Sequence, residues 1–381
     1  MTGVEFVDRV RQRLAGSGVT DLGLVVRSEQ SSAAVIADDA ALAAIERDVA
    51  AEVSGAGPLE PLLARPGVSD VLVNGPREVW LDCGRGLERS AVTFADDAAV
   101  RRLAQRLAAA AGRRLDDASP FVDATLPDGT RLHAVLPPIT AATTLSLRVL
   151  ARRRFELREV VDAQVATLLR AIVAARLTLV ISGGTGSGKT TLLGALLGCV
   201  PPSERLVVIE DAAELVTGHP HVVRLVTRTA NVEGSGAIGL RELVRQALRM
   251  RPDRLVVGEF RGAEIVELLV ALNTGHEGGA ATLHANAAAD VPARLYALGA
   301  LGGLSPSAVT RQVASALDVV VHLRRARSGL RGVAELGLLE RRGDGLVVAP
   351  VWSCSRGVQH RAADLVDRLR ERGADPGGLL Q

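Results

Sequence analysis

Hydrophobic and polar positions along the chain fall into three successive patterns. Val4, Val7, Val10 and Leu14 recur at helical spacing, as do Leu42, Ile45, Val49 and Val53 after the polar stretch SEQSSAA. This predicts a short helical lead-in with a flexible joint over residues 1–54. From Gly57 short alternating runs bounded by turn residues take over. SDVLVNG, REVWLDCG and LERSAVTF predict strands, residues 96–111 a helix, and FVDATLPDGTRLHAVLPP and TTLSLRVL further strands. Asp128-Gly129, between two alternating runs, marks a hairpin. Residues 55–151 therefore read as a compact α+β domain. RRRFELREVVDA, residues 152–163, is a charged connector, and from residue 164 to 381 apolar strands alternate with helices in the βαβ manner.

The second domain opens on LTLVIS, then GGTGSGKTT, then TLLGALLGCV. Gly183 and Gly188 bracket four residues and Lys189-Thr190 follow, which is the G-x-x-x-x-G-K-[ST] spacing of a loop whose backbone N–H groups wrap phosphates. An apolar strand before it and an apolar helix after it supply the context that this pattern needs, with the helix N-terminus facing the anion. Gly183, Gly184, Thr185, Gly186, Ser187, Gly188, Lys189, Thr190 and Thr191 are thus the candidate nucleotide-binding residues. Thr190 is the candidate hydroxyl for Mg²⁺. Lys189 is the one lysine among 45 basic residues, all the others being arginine. A compact ammonium fits among phosphate oxygens where a planar guanidinium would not.

Hydrolysis requires acids beside the phosphates, and two apolar strands end in them. RLVVIEDAAEL ends in Glu210-Asp211 with Glu214 beyond, and RLVVGEFRG ends in Glu259. In an open parallel sheet the carboxyl ends of the strands line one crevice, so both acids are expected to converge on the phosphates held by Lys189. One would hold Mg²⁺ and the other orient the attacking water. In NTGHEGGAATLHAN, His276 and His284 lack a carboxylate or cysteine at metal-ligand spacing, which disfavours zinc. A histidine near the terminal phosphate, donating a hydrogen bond or sensing the nucleotide, suits the pattern better.

Composition narrows the function classes. Aromatics are 2% against 48% hydrophobic residues overall, so the core must be built from Ala, Val and Leu, and nucleic-acid binding on aromatic platforms is disfavoured. A net charge of +2 argues against a generally basic nucleic-acid binder, although local clusters such as Arg152-Arg153-Arg154 exist. Cys83, Cys199 and Cys354 are scattered, which predicts reduced thiols. The N-terminus lacks a continuous apolar segment and no run of 18 apolar residues occurs, so a soluble, cytoplasmic protein is expected.

Taken in order, GGTGSGKTT, IEDAAEL, LRMRPDRLVVGEFRG and NTGHEGGAATLHAN resemble the Walker A, Asp box, Walker B and His box of the type II and type IV secretion ATPases. They look most like the CpaF-like branch that assembles Tad/Flp-type pili. GPLEPLLARPGVSDVLVNGPREVWLD and DATLPDGTRLHAVLPP resemble that family's N-terminal domain, so the likeness spans most of residues 55–325. The resemblance implies a RecA-like P-loop ATPase domain preceded by a smaller, PAS-like α+β domain. It implies ATP and Mg²⁺ as cofactors, with Lys189 and Thr190 on phosphate and magnesium. Glu210 corresponds to the Asp-box acid, Glu259 to the Walker B acid that polarises water, and His276 and His284 to the His-box pair. Arg131 and Arg148 correspond to N-domain arginines that reach toward the phosphates when the two domains close. Phe260, Glu277, Ala280 and Ala281 depart from the family pattern without removing a charge-bearing group.

The same resemblance implies a homohexameric ring acting on an inner-membrane platform protein. Contact with the membrane would come through that partner, and no direct nucleic-acid contact is expected. Two rival readings remain: a conjugation or DNA-transfer ATPase, and an ATP-gated scaffold that does not hydrolyse.

Overall fold

The computed structural model describes residues 55–84, 86–150, 153–228, 230, 235–326 and 329–380. The predicted lead-in over 1–54 lies outside the described residues. By its contacts the chain divides into two compact units, Met1–Leu150 and Ala151–Gln381.

The first unit carries a six-stranded antiparallel sheet in the order β3-β2-β1-β6-β5-β4. Its strands are β1 (Asp70–Asn74), β2 (Val79–Asp82), β3 (Leu87–Arg89), β4 (Phe121–Thr125), β5 (Arg131–Val135) and β6 (Thr144–Arg148). Val71, Val73, Val79, Leu81, Leu132, Ala134, Leu145 and Leu147 alternate to one face and are buried. That face packs under α1 (Asp97–Ala110), whose buried Val100, Leu103, Ala104, Leu107 and Ala108 form a single stripe. Asp96 caps α1 by accepting from the Ala99 N–H at 2.7 Å. Trp80 stands on the opposite face, on β2.

The strand expected from LERSAVTF is shorter than predicted. It pairs only over Leu87–Arg89, because the chain then turns away to bury Phe94 and bond its N–H to the Pro76 carbonyl at 2.7 Å. The β4–β5 hairpin forms as expected. Gly129 adopts a left-handed φ of 92° and Asp128 Oδ1 accepts from the Thr130 N–H at 2.9 Å.

The second unit is a nine-stranded sheet in the order β15-β14-β13-β12-β7-β11-β10-β8-β9. Six of these strands are mutually parallel neighbours: β7 (Leu179–Gly183), β8 (Leu206–Glu210), β9 (Val222–Val226), β10 (Arg254–Val257), β11 (Ala280–Leu283) and β12 (Val319–Arg325). β7, β8, β10 and β11 are buried along their whole length, which explains why they read as unbroken apolar runs rather than alternating ones.

Helices cover both faces. α2 (Ala163–Ala174) and α3 (Lys189–Leu197) share one core with Leu179, Ile181 and Val208. On the other face α4 (Leu240–Ala247), α5 (Ile265–Leu272), α6 (Val291–Leu301) and α7 (Pro306–Ala316) pack with Val180, Ile209 and Val257. Both cores are almost entirely Ala, Val, Leu and Ile, as the aromatic-poor composition requires. The sheet also extends beyond the predicted βαβ pattern, through the antiparallel strands β13 (Arg331–Arg342), β14 (Gly345–Ser353) and β15 (Gly357–Val358). Trp352 sits on β14, and α8 (Ala362–Glu371) closes the described chain.

Candidate functional site

At the carboxyl end of β7 the loop is built around glycine. Gly183 has φ of 155°, and a Cβ there would lie 2.6 Å from both the Leu323 carbonyl and Ser187 Oγ. Gly186 and Gly188 take left-handed φ values of 70° and 98°. Gly188 caps α3 without any side-chain hydrogen bond, so the first-turn N–H groups face the loop's concavity. Gly184, Thr185 and Gly186 are exposed, Thr190 and Thr191 half-buried, and Ser187 buried with no partner for its hydroxyl among the described residues.

Lys189, 8% exposed, donates to the carbonyls of Gly183 at 3.0 Å and Gly184 at 3.2 Å. Burial pushes its pKa down, Glu259 opposes that shift and Arg261 adds to it. An ammonium held by neutral groups in a partly dry site is well suited to accept an anion.

Strand order determines which side chains meet Lys189. β11 adjoins β7 and β10 adjoins β11, all parallel, so the residues after their carboxyl ends share one edge. His284, just past β11, stands 3.4 Å from Lys189 Nζ at both ring nitrogens. Glu259, just past β10, places Oε1 2.7 Å from His284 Nε2. That oxygen is buried and makes no aligned hydrogen bond, so the contact is a close approach and leaves the oxygen open to another donor. The other oxygen, Oε2, accepts from Arg261 Nε at 2.6 Å. Burial lowers the His284 pKa, Lys189 lowers it further and Glu259 partly offsets both, which favours the neutral imidazole.

Glu210 is placed differently. β8 is separated from β7 by β11 and β10, and Glu210 at its end is 3% exposed. Its Oε1 accepts from the N–H groups of Glu214 at 3.1 Å and Leu215 at 2.8 Å, which shapes the turn after the strand. Oε2 is buried with no partner among the described residues, and burial raises the pKa of the carboxyl. The turn that Glu210 holds carries Asp211 and Glu214, whose charges act on Arg261. Arg261, Asp211 and Glu214 are thus part of the site, although the sequence reading gave them no role.

Nor does the structure bring His276 to this group. It precedes β11 whereas His284 follows it, so the strand holds the two rings at opposite edges of the sheet, and His276 Nδ1 contacts the Ala271 carbonyl at 3.1 Å. Arg131 and Arg148 belong to the first unit. They face each other in register on β5 and β6, with Arg148 Nε 3.8 Å from Asp70 Oδ1.

Two further arginines flank the loop from within the second unit. A Cβ on Gly186 would lie 3.7 Å from Arg325 Nη1, and one on Gly188 would lie 3.7 Å from Arg331 Cδ. The basic run RRARSGLR is their signal in the sequence.

The residues fit Mg²⁺ as a nucleotide-borne ion. Among the described residues no group of three or more His, Cys, Asp or Glu side chains converges to hold a metal without help. Thr190 in the first turn of α3 and the open Glu210 Oε2 and Glu259 Oε1 are hard oxygens of the kind that could hold Mg²⁺ alongside phosphate and water.

A model of the type II/IV secretion system protein family matches residues 52–356. The chain belongs to this family. Among curated relatives of this type II/IV secretion protein is a putative conjugal transfer protein of Mycobacterium tuberculosis, 56% identical over 336 residues, covering 85% of this chain and 95% of the relative. The type IV secretion system protein PtlH of Bordetella pertussis is 33% identical over 310 residues, covering 72% and 90%. Among solved structures, the pilus retraction motor PilT with bound ADP matches with a TM-score of 0.52 at 20% identity over 81% of this chain and 83% of that one. The likeness to PilT supports the fold: an N-terminal domain followed by a RecA-like domain. Among the described residues no helix is long and apolar enough to cross a membrane.

Proposed function

We propose that this type II/IV secretion family protein is a Mg²⁺-dependent ATPase that powers transport in a conjugal-transfer or type IV secretion machine. The observation that supports this best is the meeting of Lys189, His284 and Glu259 at the carboxyl edge of three adjacent parallel strands. The names of the relatives favour conjugal transfer as the cargo class. The motif resemblance supports a second reading, Tad/Flp pilus assembly by a CpaF-like motor.

In either case Lys189 and the loop N–H groups bind the β- and γ-phosphates. Glu259, oriented by Arg261, accepts a hydrogen bond from the attacking water. His284, neutral and next to Lys189, donates to the terminal phosphate and registers its loss. Mg²⁺, held by Thr190 with Glu210 or Glu259, supplies positive charge to the phosphate oxygens. Arg131 and Arg148 stabilise transition-state charge when the first unit closes over ATP, and the 152–163 connector serves as the hinge. The ring is a homohexamer in the cytoplasm, attached to the membrane through a platform protein.

Phosphate release by the full chain tests this reading. Turnover should require Mg²⁺, disappear in Lys189→Ala and fall at least about tenfold in Arg131→Ala and Arg148→Ala. Stimulation by DNA would favour the conjugal cargo, and its absence would favour the pilus. A folded chain that binds ATP but releases no phosphate would be a nucleotide-gated scaffold instead.

A further inference from the structure

His322 has no part in the chemistry described above, yet it is 4% exposed in the middle of β12, next to the strand that carries the phosphate loop. β12 runs parallel to β7, and His322 lies opposite Ser182, the residue before Gly183. Ser182 Oγ is 2.9 Å from His322 Nδ1, and both side chains are buried. Ser182 also pairs with Leu283 on β11, the residue before His284. Beyond His284 the chain crosses toward the short turn Ala288–Asp290, which packs against β12, β13 and β14.

A neutral imidazole has one acceptor and one donor. With the ring neutral, Nδ1 can accept from the Ser182 hydroxyl. Burial pushes the His322 pKa down, which keeps the ring in this neutral form. The neighbouring positions facing the same core, Val180 and Val320, are aliphatic. A polar ring in that layer is a cost to packing unless its hydrogen bonds fix something that an aliphatic side chain would leave loose. What it joins are β12 and the strand that carries the phosphate loop, at the residue paired with the one before His284.

We propose that His322 is a positioning residue: by bonding Ser182, the strand partner of Leu283, it fixes the carboxyl ends of β7 and β11 and so holds His284 against Lys189 and Glu259. Its activity arm rests on the hydrolysis reading above, and its structural arm does not.

His322→Leu fills the same space without the bond to Ser182. It should lower kcat about tenfold while nucleotide affinity stays within about twofold, since loss of register at a catalytic group costs rate more than binding. His322→Gln, which keeps a donor and an acceptor, should recover most of the loss. In a His284→Ala background, His322→Leu should cost nothing more. Losses that multiply in the double variant, or wild-type turnover in His322→Leu, overturn the proposal. If His322→Leu fails to fold, Ser182→Ala carries the same cycle with an expected loss of about threefold, the scale of one net hydrogen bond.

Imidazole NMR of the nucleotide-free chain provides the arm independent of turnover. The His284 resonances should shift in Ser182→Ala and less in His322→Gln, and unchanged His284 signals in Ser182→Ala overturn the proposal. An inactive wild type with shifted His284 signals would count against hydrolysis alone.

Discussion

At the amino edge of the nine-stranded sheet, Arg254 is 2% exposed and its guanidinium grips both oxygens of Glu204, at 2.7 and 3.3 Å, with a third contact to the Gly278 carbonyl. Arg176 joins the same carboxylate at 2.9 Å and the Asp253 carbonyl at 2.8 Å, and Arg372 holds Glu277 at 3.2 Å. At the carboxyl edge the side-chain types are similar but their partners are incomplete. Lys189 has two carbonyls and no directly bonded carboxylate, Glu210 Oε2 and Ser187 Oγ have no partner among the described residues, and the pKa values of Lys189, Glu210 and His284 are displaced. A saturated buried network makes a scaffold rigid, whereas groups left short of partners await a ligand that brings its own oxygens.

The sharpest test of this contrast is Arg254→Ala. It takes from Glu204 its buried partner, leaving only Arg176, and should cost about 3 kcal/mol of stability in denaturant melts, with any nucleotide affinity lost only in step with folding. Glu259→Gln should do the reverse: kcat falls about a hundredfold or more, while the melting temperature changes little, because the amide keeps the side chain's shape and an oxygen that can accept from Arg261. The two histidines flanking β11 divide the edges at closer range. His284→Ala should lower kcat about tenfold, and His276→Ala should leave it within about twofold, in steady-state phosphate release. Equal losses at both positions would dissolve the distinction.

The smallest effect is on pH dependence. The pKa values of His284 and His322 are pushed below 6.5, mainly by burial. A histidine depressed in the folded state contributes stability that is fully present above 6.5 and is lost as pH falls through its folded value. Thermal melts should therefore show stability declining on acidification below 6.5, less steeply in His322→Leu than in the wild type. A steeper decline in the variant would contradict this sign.

Much of this was legible along the chain because it is local. The phosphate loop, the buried strands before Glu210 and Glu259 and the α1 stripe each depend on residues within a dozen positions of one another. Long-range pairings left no such trace. Ser182 and His322 are 140 residues apart in sequence, and Arg325 and Arg331 reach the loop only because β12 lies next to β7. The sequence placed both acids at strand ends without their strand order: with β11 and β10 between β7 and β8, Glu259 lies by His284 and Lys189 while Glu210 braces a turn. His276 and His284 looked like a pair because they are close in sequence, but a strand between them makes such neighbours distant.

The scarcity of aromatic side chains leaves an experimental handle. The chain has two tryptophans, Trp80 on β2 of the first unit and Trp352 on β14 of the second. Each unit therefore carries its own indole fluorophore. Trp352 lines a cavity of about 520 Å³ together with Arg331, the side chain next to Gly188. With Trp80 changed to phenylalanine, the remaining emission would follow nucleotide occupancy and melting of the second unit alone, without an attached dye.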